Sequence, residues 1–435
     1  MAHPYIPLTD EDRREMLAAV GVASTDELFA DIPAEHRDPP LDLPPALSET
    51  ELMRELSALA ARNRSAGELP SFLGAGAYRH YIPSVVDHII SRGEYLTAYT
   101  PYQPEISQGT LQTIFEFQSL VCELTGMEVA NAGMYDGASA MAEACLMACA
   151  VTGRNRVLVL DTVHPHTIDT VRTYAIGRDI EVAVVSLGAL DLGERDACVA
   201  AQQPNFFGYL EDLSSFGDAA HEAGALFAVS ADPVSLGLFR PPSEFGADIV
   251  VAEGQPLGVP LSFGGPYVGL FACRQQYVRH MPGRIAGRTT DSEGRTGYVL
   301  TLQTREQHIR RERATSNIGT SQQLVALAFT VALCTLGKQG LRRMAELCYH
   351  KAHYAAERIA ALPGYDLPVS EVFFQEFVVR CPRPPAEVNK RLLERGIIGG
   401  YDVSDRIDSG MLICCSELHT RDEIDRLVAA LEEIS

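Results

Sequence analysis

The sequence predicts an α/β protein with a large domain on a mainly parallel sheet and a smaller α/β domain after it. Short apolar runs alternate with helical segments across 66–325, a pattern typical of right-handed βαβ crossovers. A long helical pattern opens the last region, 326–435, and two strand–helix pairs follow it. Residues 1–65 show helix signals without strand runs and predict a helical arm.

The predicted arm has three helix starts and one proline-rich break. Thr9 precedes three acidic residues, an order that favours a helix amino terminus. A second start lies at Ser24, and a third helix is predicted at 49–64. Paired prolines at 39–40 and 44–45 interrupt the helices.

In the two α/β regions, periodicity predicts each element in turn. The strands of the large domain are predicted at 157–160, 180–185, 226–229, 248–252 and 268–273, and its helices at 111–125, 138–151, 167–175 and 213–223. The last region is predicted as a helix at 321–362 with a break at 337–340, strands at 373–379 and 411–415, and helices at 386–395 and 421–434.

Composition and charge favour a globular protein without nucleic-acid or membrane partners. The chain has 435 residues, 46% of them hydrophobic, and a formal net charge of -21. An acidic chain repels phosphate backbones and anionic lipid. The amino end lacks the features of a secretory signal or transit peptide, and the longest apolar run, 324–336, is too short to span a bilayer. We therefore expect a cytoplasmic protein.

Nucleophilic side chains are unevenly distributed. The ten cysteines are scattered without metal-ligand pairing, which favours small core residues in a reducing compartment over a redox or zinc role. Of the 36 basic residues, only Lys338, Lys351 and Lys390 are lysines. Few positions are therefore available for lysine chemistry, and all of them lie in the carboxyl-terminal third.

Two acidic positions stand where open α/β sheets bind ligands. Asp232 follows the strand predicted at 226–229, at the carboxyl end of a buried strand. Asp136 and Ser139 open the helix predicted at 138–151 and resemble a phosphate-binding helix start. Each position is also explained by simple capping of the following turn or helix, and the sequence leaves both interpretations open.

A third position is defined by what it lacks. The strand predicted at 248–252 leads into a glycine-rich loop in which Gln255 and Pro256 come first. An amide is not a nucleophile and cannot form a Schiff base.

His164 and His166 flank a proline, which is weak support for a metal site, and no metal is expected. The repeat at 74–76 has no strand before it, so dinucleotide binding is not expected.

Long motifs identify a family resemblance. The segments YTPYQPEISQG at 99–109, LQTREQHIRR at 302–311 and ATSNI at 314–318 resemble those of glycine decarboxylase, the P-protein family of the glycine cleavage system. The glycine-rich segments 74–78 and 258–266 also match. The resemblance covers nearly the whole chain, and it is to the amino-terminal half of the family's long chains, which is subunit 1 of the two-subunit form.

The resemblance implies a fold and different roles for the two subunits. It implies the fold type I, aspartate-aminotransferase-like architecture and an enzyme that uses pyridoxal 5'-phosphate. In the family the cofactor lysine lies in the other half, subunit 2, which agrees with Gln255 at the expected lysine position. By the same resemblance, Asp232, His164 and Ser139 are remnants of cofactor contacts, and this chain holds no cofactor covalently.

The resemblance also implies the reaction and its partners. Glycine loses carbon dioxide at pyridoxal phosphate, and its aminomethyl group passes to the lipoyl arm of the H-protein. The implied partners are the cofactor-binding subunit 2, the lipoylated H-protein and glycine. The family's assembly implies two copies of each subunit.

Two groups of residues are candidates for contacts with the partner. The first is the loop with Tyr99, Thr100, Tyr102, Gln103 and Glu105, which we expect to reach the partner's cofactor; an interface turn without catalytic contact is the alternative. The second is a basic run that adds substrate or interface candidates, with a solvated face or ion-pair network as the alternative. Its residues are Arg305, His308, Arg310, Arg311 and Arg313, followed by Asn317.

Three functional hypotheses follow. The chain is a subunit of a heteromeric decarboxylase that is incomplete alone, a complete enzyme of the same fold such as a desulfurase or decarboxylase, or a purely structural or regulatory partner. The second hypothesis requires a lysine after the strand predicted at 248–252, and none is there.

Overall fold

The computed structural model describes residues 5–319 and 321–435. The chain divides after Arg64 into two compact units. The first contains helices α1 (Asp10–Val20) and α2 (Glu49–Ala60), and each begins with a capping box, from Thr9 and Ser48 respectively. The predicted second helix is a short 3-10 turn, Thr25–Phe29, and α2 ends before the predicted residue 64.

The second unit is built around a seven-stranded sheet with the order β1-β7-β6-β5-β4-β2-β3. Strands β2 to β6 are parallel, whereas β7 runs antiparallel to both of its neighbours. The strands are β1 (Val129–Ala130), β2 (Arg156–Leu160), β3 (Glu181–Val185), β4 (Asp196–Gln203), β5 (Leu226–Ala231), β6 (Ile249–Glu253) and β7 (Gly269–Cys273).

Six helices accompany this sheet. They are α3 (Ser84–Ile90), α4 (Gly93–Leu96), α5 (Gln108–Thr125), α6 (Gly137–Thr152), α7 (Pro165–Ala175) and α8 (Ser214–Glu222). Helix α6 is buried along most of its length, because its alanines and Met141 and Met147 allow close packing against the sheet.

The chain then forms a hairpin, a long helix and a second sheet. The hairpin pairs β8 (Ile285–Thr290) with β9 (Thr296–Thr301), and the helices are α9 (Gln307–Arg310), α10 (Gln323–Ala360), α11 (Pro385–Glu394) and α12 (Arg421–Ile434). The second sheet is antiparallel with the order β10-β12-β11, from β10 (Glu376–Arg380), β11 (Tyr401–Asp402) and β12 (Gly410–Cys414).

Each sheet has its own hydrophobic cluster. Phe227 and Phe271 lie in the cluster of the large sheet, and Phe377 and Leu431 lie in that of the small one. The predicted mixed α/β class with a largely parallel sheet is confirmed. The predicted boundary between the large domain and the last region, at 325/326, stays a prediction. Residues 65–435 group into one compact unit.

Helix α10 is long and apolar enough, by length and composition, to cross a membrane. Its backbone leaves helical geometry at Gly337 (φ 59°, ψ -177°), inside the predicted break. Phe329 and Cys348, on either side of that glycine, are fully buried in the core. We therefore interpret α10 as a kinked core helix.

The features of the large region that the sequence prediction missed include a central strand and a hairpin. Strand β4 lies in the middle of the sheet, between β2 and β5, yet its sequence DACVAAQQ has Val199 as its single β-branched residue. Its Asp196 is buried and pairs with Arg156 across the sheet. The β8–β9 hairpin was also missed, because only its first residues are buried and its outer half is polar.

Candidate functional site

A cavity of about 450 Å³ opens at the carboxyl ends of the central parallel strands. This is where ligands bind in open α/β sheets. Four segments line much of it, 75–78, 135–138, 230–233 and 374–376, together with His164 and Glu253. The structure thus brings together Asp232, His164 and the start of α6, three of the predicted cofactor-contact positions.

Asp232 faces the cavity just beyond the end of β5, and its carboxylate is fully engaged. Its Oδ1 accepts hydrogen bonds from the backbone N–H groups of Val234 (2.7 Å) and Ser235 (3.1 Å). Its Oδ2 accepts one from Nε2 of Gln375 (2.9 Å). Burial raises the pKa of Asp232. The capping interpretation therefore holds for this residue, which also lines the cavity.

The start of α6 is occupied by two carboxylates. Asp136 is the N-cap, and its Oδ1 accepts from the backbone N–H of Ser139 at 2.7 Å. The second carboxylate comes from the end of β6: Oε2 of Glu253 accepts from the N–H of Gly137 at 2.9 Å. Ser139 therefore takes part in an ordinary capping box, and Glu253, which the sequence prediction missed, fills the anion-binding position.

Gln255 lies where the anchoring lysine was expected, and it is buried (1% exposed). Its side-chain oxygen accepts from the N–H of Tyr78 (2.9 Å). Its Nε2 donates to the carbonyl oxygens of Tyr78 (2.7 Å) and Val259 (2.8 Å). The amide thus connects the segment at Tyr78 to the loop that contains Gln255 and Val259. No lysine is among the described residues that line the cavity.

His164 caps α7 and closes one side of the cavity. Its Nδ1 accepts from the backbone N–H of His166 (3.1 Å), so its Nε2 carries the proton that is donated to the carbonyl oxygen of Ala75 (3.0 Å). Burial lowers the pKa of His164, which favours this neutral form. Both ring nitrogens are therefore engaged within the chain.

Glu376 is the fourth carboxylate among the described residues that line the cavity, and it was also missed by the sequence prediction. Its Oε1 accepts from the N–H of Ala75 (2.6 Å), and its Oε2 accepts from the Tyr78 hydroxyl (2.7 Å). Burial raises the pKa of Glu376 to about 7. The residue is the first of β10, and therefore joins the small sheet to the glycine-rich segment 74–78.

The predicted partner-facing loop lies outside this cavity. Tyr99 (77% exposed) and Tyr102 (53% exposed) are open to solvent. Tyr102 is held by Arg284, whose Nη2 donates to its hydroxyl at 3.1 Å. The loop is also held at its end by Gln108, whose side chain bonds the backbone of Tyr298.

Tyr102 and His308, predicted from separate motifs, are neighbours. Their ring centroids are 6.1 Å apart. Between them lies a buried ion pair: Nε of Arg284 is 3.7 Å from Oε2 of Glu306, and Nδ1 of His308 is 3.5 Å from the same oxygen. These four residues form what we call the Tyr102 cluster. Arg284 and Glu306 were not predicted as site residues, because the sequence does not show that they are buried next to each other.

The rest of the basic run is not one surface. Arg305 turns inward and donates to the carbonyl oxygens of Gly283 and Leu302 (3.0 Å each), so its role in the fold is structural. Arg310 donates to the carbonyl of Thr304 (3.2 Å). Arg311, Arg313 and Asn317 are exposed. The alternative of a single solvated helix face does not describe this run, since three short helical turns replace one helix.

Comparison with known proteins identifies the family. The family model for the glycine cleavage system P-protein matches residues 3–431. The chain belongs to the P-protein family. It is 55% identical over 443 residues to the probable glycine dehydrogenase (decarboxylating) subunit 1 of Thermomicrobium roseum, with 99% of each chain covered. A P-protein crystal structure in inhibitor-bound form matches with a TM-score of 0.93 and 45% identity over 100% of both chains.

A more distant likeness concerns the fold alone. A C-DES variant with glycine linked to its PLP cofactor matches with a TM-score of 0.60 and 16% identity, over 85% of this chain and 97% of the other. The predicted fold type I architecture is thereby confirmed.

The residues of this P-protein cavity do not fit pyridoxal phosphate. The cofactor needs an amine for its aldehyde and free N–H groups for its phosphate. Gln255 supplies no amine, and Glu253 already accepts from the first N–H of α6. The cavity keeps Asp232 and His164, but the Gln255 position supplies no amine and the first N–H of α6 is already bonded to Glu253.

The raised pKa of Glu376 predicts a pH-dependent stability. The folded chain binds the proton of Glu376 more tightly than the unfolded chain does. Protonated Glu376 therefore contributes to the free energy of unfolding, and this contribution is fully present below about pH 4.5 and is lost as pH rises through about 7. Compared with wild type, Glu376→Gln should therefore gain stability between pH 5 and pH 8, by at most about 1.4 kcal/mol per pH unit.

Urea unfolding at several pH values measures this difference. Glu51→Gln is the control, because hydrogen bonds from Ser48 lower the pKa of Glu51 and place its titration below this window. The stability of Glu51→Gln relative to wild type should be constant from pH 5 to pH 8. An equally flat difference for Glu376→Gln would contradict the assignment.

Proposed function

We propose that this chain is the subunit of a heteromeric glycine decarboxylase that lacks the cofactor lysine. The complex decarboxylates glycine with pyridoxal phosphate and transfers the aminomethyl group to the lipoyl arm of the H-protein. The observation that carries the proposal is the buried amide of Gln255 at the exit of β6. Since no lysine is among the cavity-lining residues that the structure describes, the cofactor is bound by the partner, subunit 2.

The relatives support a catalytic assembly. The relative in Thermomicrobium roseum is named as a subunit 1 of glycine dehydrogenase (decarboxylating), which implies a second subunit. The comparisons do not favour the alternative of a purely structural or regulatory partner. We further propose that the complex acts in the cytoplasm and contains two copies of each subunit.

The Tyr102 cluster is our candidate for this chain's contribution to the partner's site. Tyr102 presents a hydroxyl and a ring on a loop stiffened by prolines, so little entropy is lost on ordering it. The guanidinium carbon of Arg284 lies 5.3 Å from the ring centroid and restrains the side chain. Tyr99, Thr100, Gln103 and Glu105 extend the same surface, and His308, Arg310, Arg311 and Asn317 stay candidates for substrate or interface contacts.

The first test is reconstitution. Co-expression of this chain with its candidate subunit 2 should give glycine–bicarbonate exchange in the presence of lipoylated H-protein, and either chain alone should give none. Exchange by subunit 2 alone at the rate of the complex would contradict a catalytic need for this chain.

The second test addresses the Tyr102 cluster. Tyr102→Phe in the assembled complex removes one hydroxyl, and we expect kcat/KM for glycine to fall about tenfold or more, the cost of about one lost hydrogen bond to a charged group. Tyr81→Phe is the matched control, because Tyr81 has the same exposure, 53%, and lies outside the cluster. Unchanged kinetics for Tyr102→Phe would remove its hydroxyl from the mechanism.

A further inference from the structure

The start of α6 carries more negative charge than its capping needs. Asp136 already serves as N-cap and accepts from Ser139. Glu253 belongs to another element, 116 residues further along the chain, and adds a second carboxylate that accepts from Gly137. Its other oxygen accepts from the N–H of Gln255 at 3.0 Å. Glu253 is thus held by two backbone N–H groups, one from the start of α6 and one from the loop after β6.

The local packing leaves Glu253 little freedom. A Cβ on Gly137 would lie 2.9 Å from the backbone nitrogen of Glu253 and 3.0 Å from its Cα. Glycine is therefore needed at position 137 so that the end of β6 can approach the helix. Because the end of β6 comes this close, the Glu253 carboxyl group lies at the start of α6, where the positive end of the helix dipole favours an anion.

We propose that the carboxyl group of Glu253, by occupying the start of α6, keeps phosphate esters out of this cavity. A phosphate placed at the start of α6 would compete for the N–H of Gly137 and would lie beside two carboxylates, and like charges at such distances repel strongly when partly buried. The cavity has room, about 450 Å³, for a small ligand. Its selectivity therefore comes from charge and from the filled anion position.

The consequence concerns cofactor loading and rests on the proposed function. Without Glu253 at the helix start, the similar cavities of the two related subunits would compete for the same cofactor. With Glu253 in place, pyridoxal phosphate enters the partner's site alone. The claim about phosphate exclusion concerns this chain's own residues and can be tested without turnover.

The experiment uses the assembled complex after borohydride reduction, which fixes cofactor in the lysine-bearing site. Equilibrium dialysis then measures further binding of inorganic phosphate and of pyridoxal phosphate. Wild type should bind neither at this position. Glu253→Ser, which empties the anion position, should bind phosphate at least about tenfold more tightly than wild type and take up one additional, non-covalent pyridoxal phosphate per subunit pair.

Two matched variants separate the anion position from general acidity. Glu253→Gln keeps the position filled but removes the charge, so it should bind phosphate more tightly than wild type and more weakly than Glu253→Ser. Glu376→Gln removes an acid from the same cavity, away from the helix start, and should bind as wild type. Thermal unfolding of each complex establishes that it is folded.

Two results would overturn the proposal. One is a folded Glu253→Ser complex that binds phosphate no more tightly than wild type. The other is an equal gain in Glu376→Gln, since cavity acidity alone would then explain exclusion. Borohydride labelling on this chain would instead refute the proposed function, and the two failures are therefore distinguishable.

Discussion

The hydrogen bonds of the Gln255 amide determine what this cavity can do. The side chain makes two hydrogen bonds to the backbone of Tyr78 and one to the carbonyl oxygen of Val259, and it is almost wholly buried. An amide in this position contributes cohesion between two loops but no nucleophile. The chain therefore keeps the fold of a cofactor enzyme, but at the position expected for the anchoring lysine it has an amide that makes structural hydrogen bonds.

The cavity's other polar groups are engaged in the same way. Asp232 accepts from backbone groups and from Gln375, His164 bonds Ala75 and His166, and Glu376 bonds Ala75 and Tyr78. Groups that would bind a ligand in a cofactor enzyme here stabilise loop positions. Burial raises the pKa of Glu376 and of Glu253 to about 7, so the cavity titrates near neutrality.

The sequence predicted much of the fold, because the strands and helices carry strong local periodicity. The five predicted strands of the large sheet and α12 are present with ends within a few residues. Strand β4 was missed because its burial comes from its neighbours in the sheet, and its own residues, apart from Val199, are small or polar. The kink of α10 was predicted, since a glycine pair interrupts an otherwise continuous pattern.

The site was less predictable, because its decisive contacts join distant parts of the chain. Glu253 meets Gly137, and Arg284 meets Tyr102, across 116 and 182 residues respectively. A strand-ending glutamate beside the glycine-rich loop was visible in the sequence, yet nothing local shows that it fills a helix start. The absence of a lysine, by contrast, was readable directly, because it depends on residue identity alone.

The most direct measurement is the location of the cofactor label. The purified two-subunit complex, reduced with borohydride and separated into its chains, is analysed by intact-mass spectrometry. We expect the added mass of reduced pyridoxal phosphate on the partner chain and an unmodified mass for this one. A stoichiometric label on this chain, at Lys338, Lys351, Lys390 or any other residue, would contradict the absence of a usable amine.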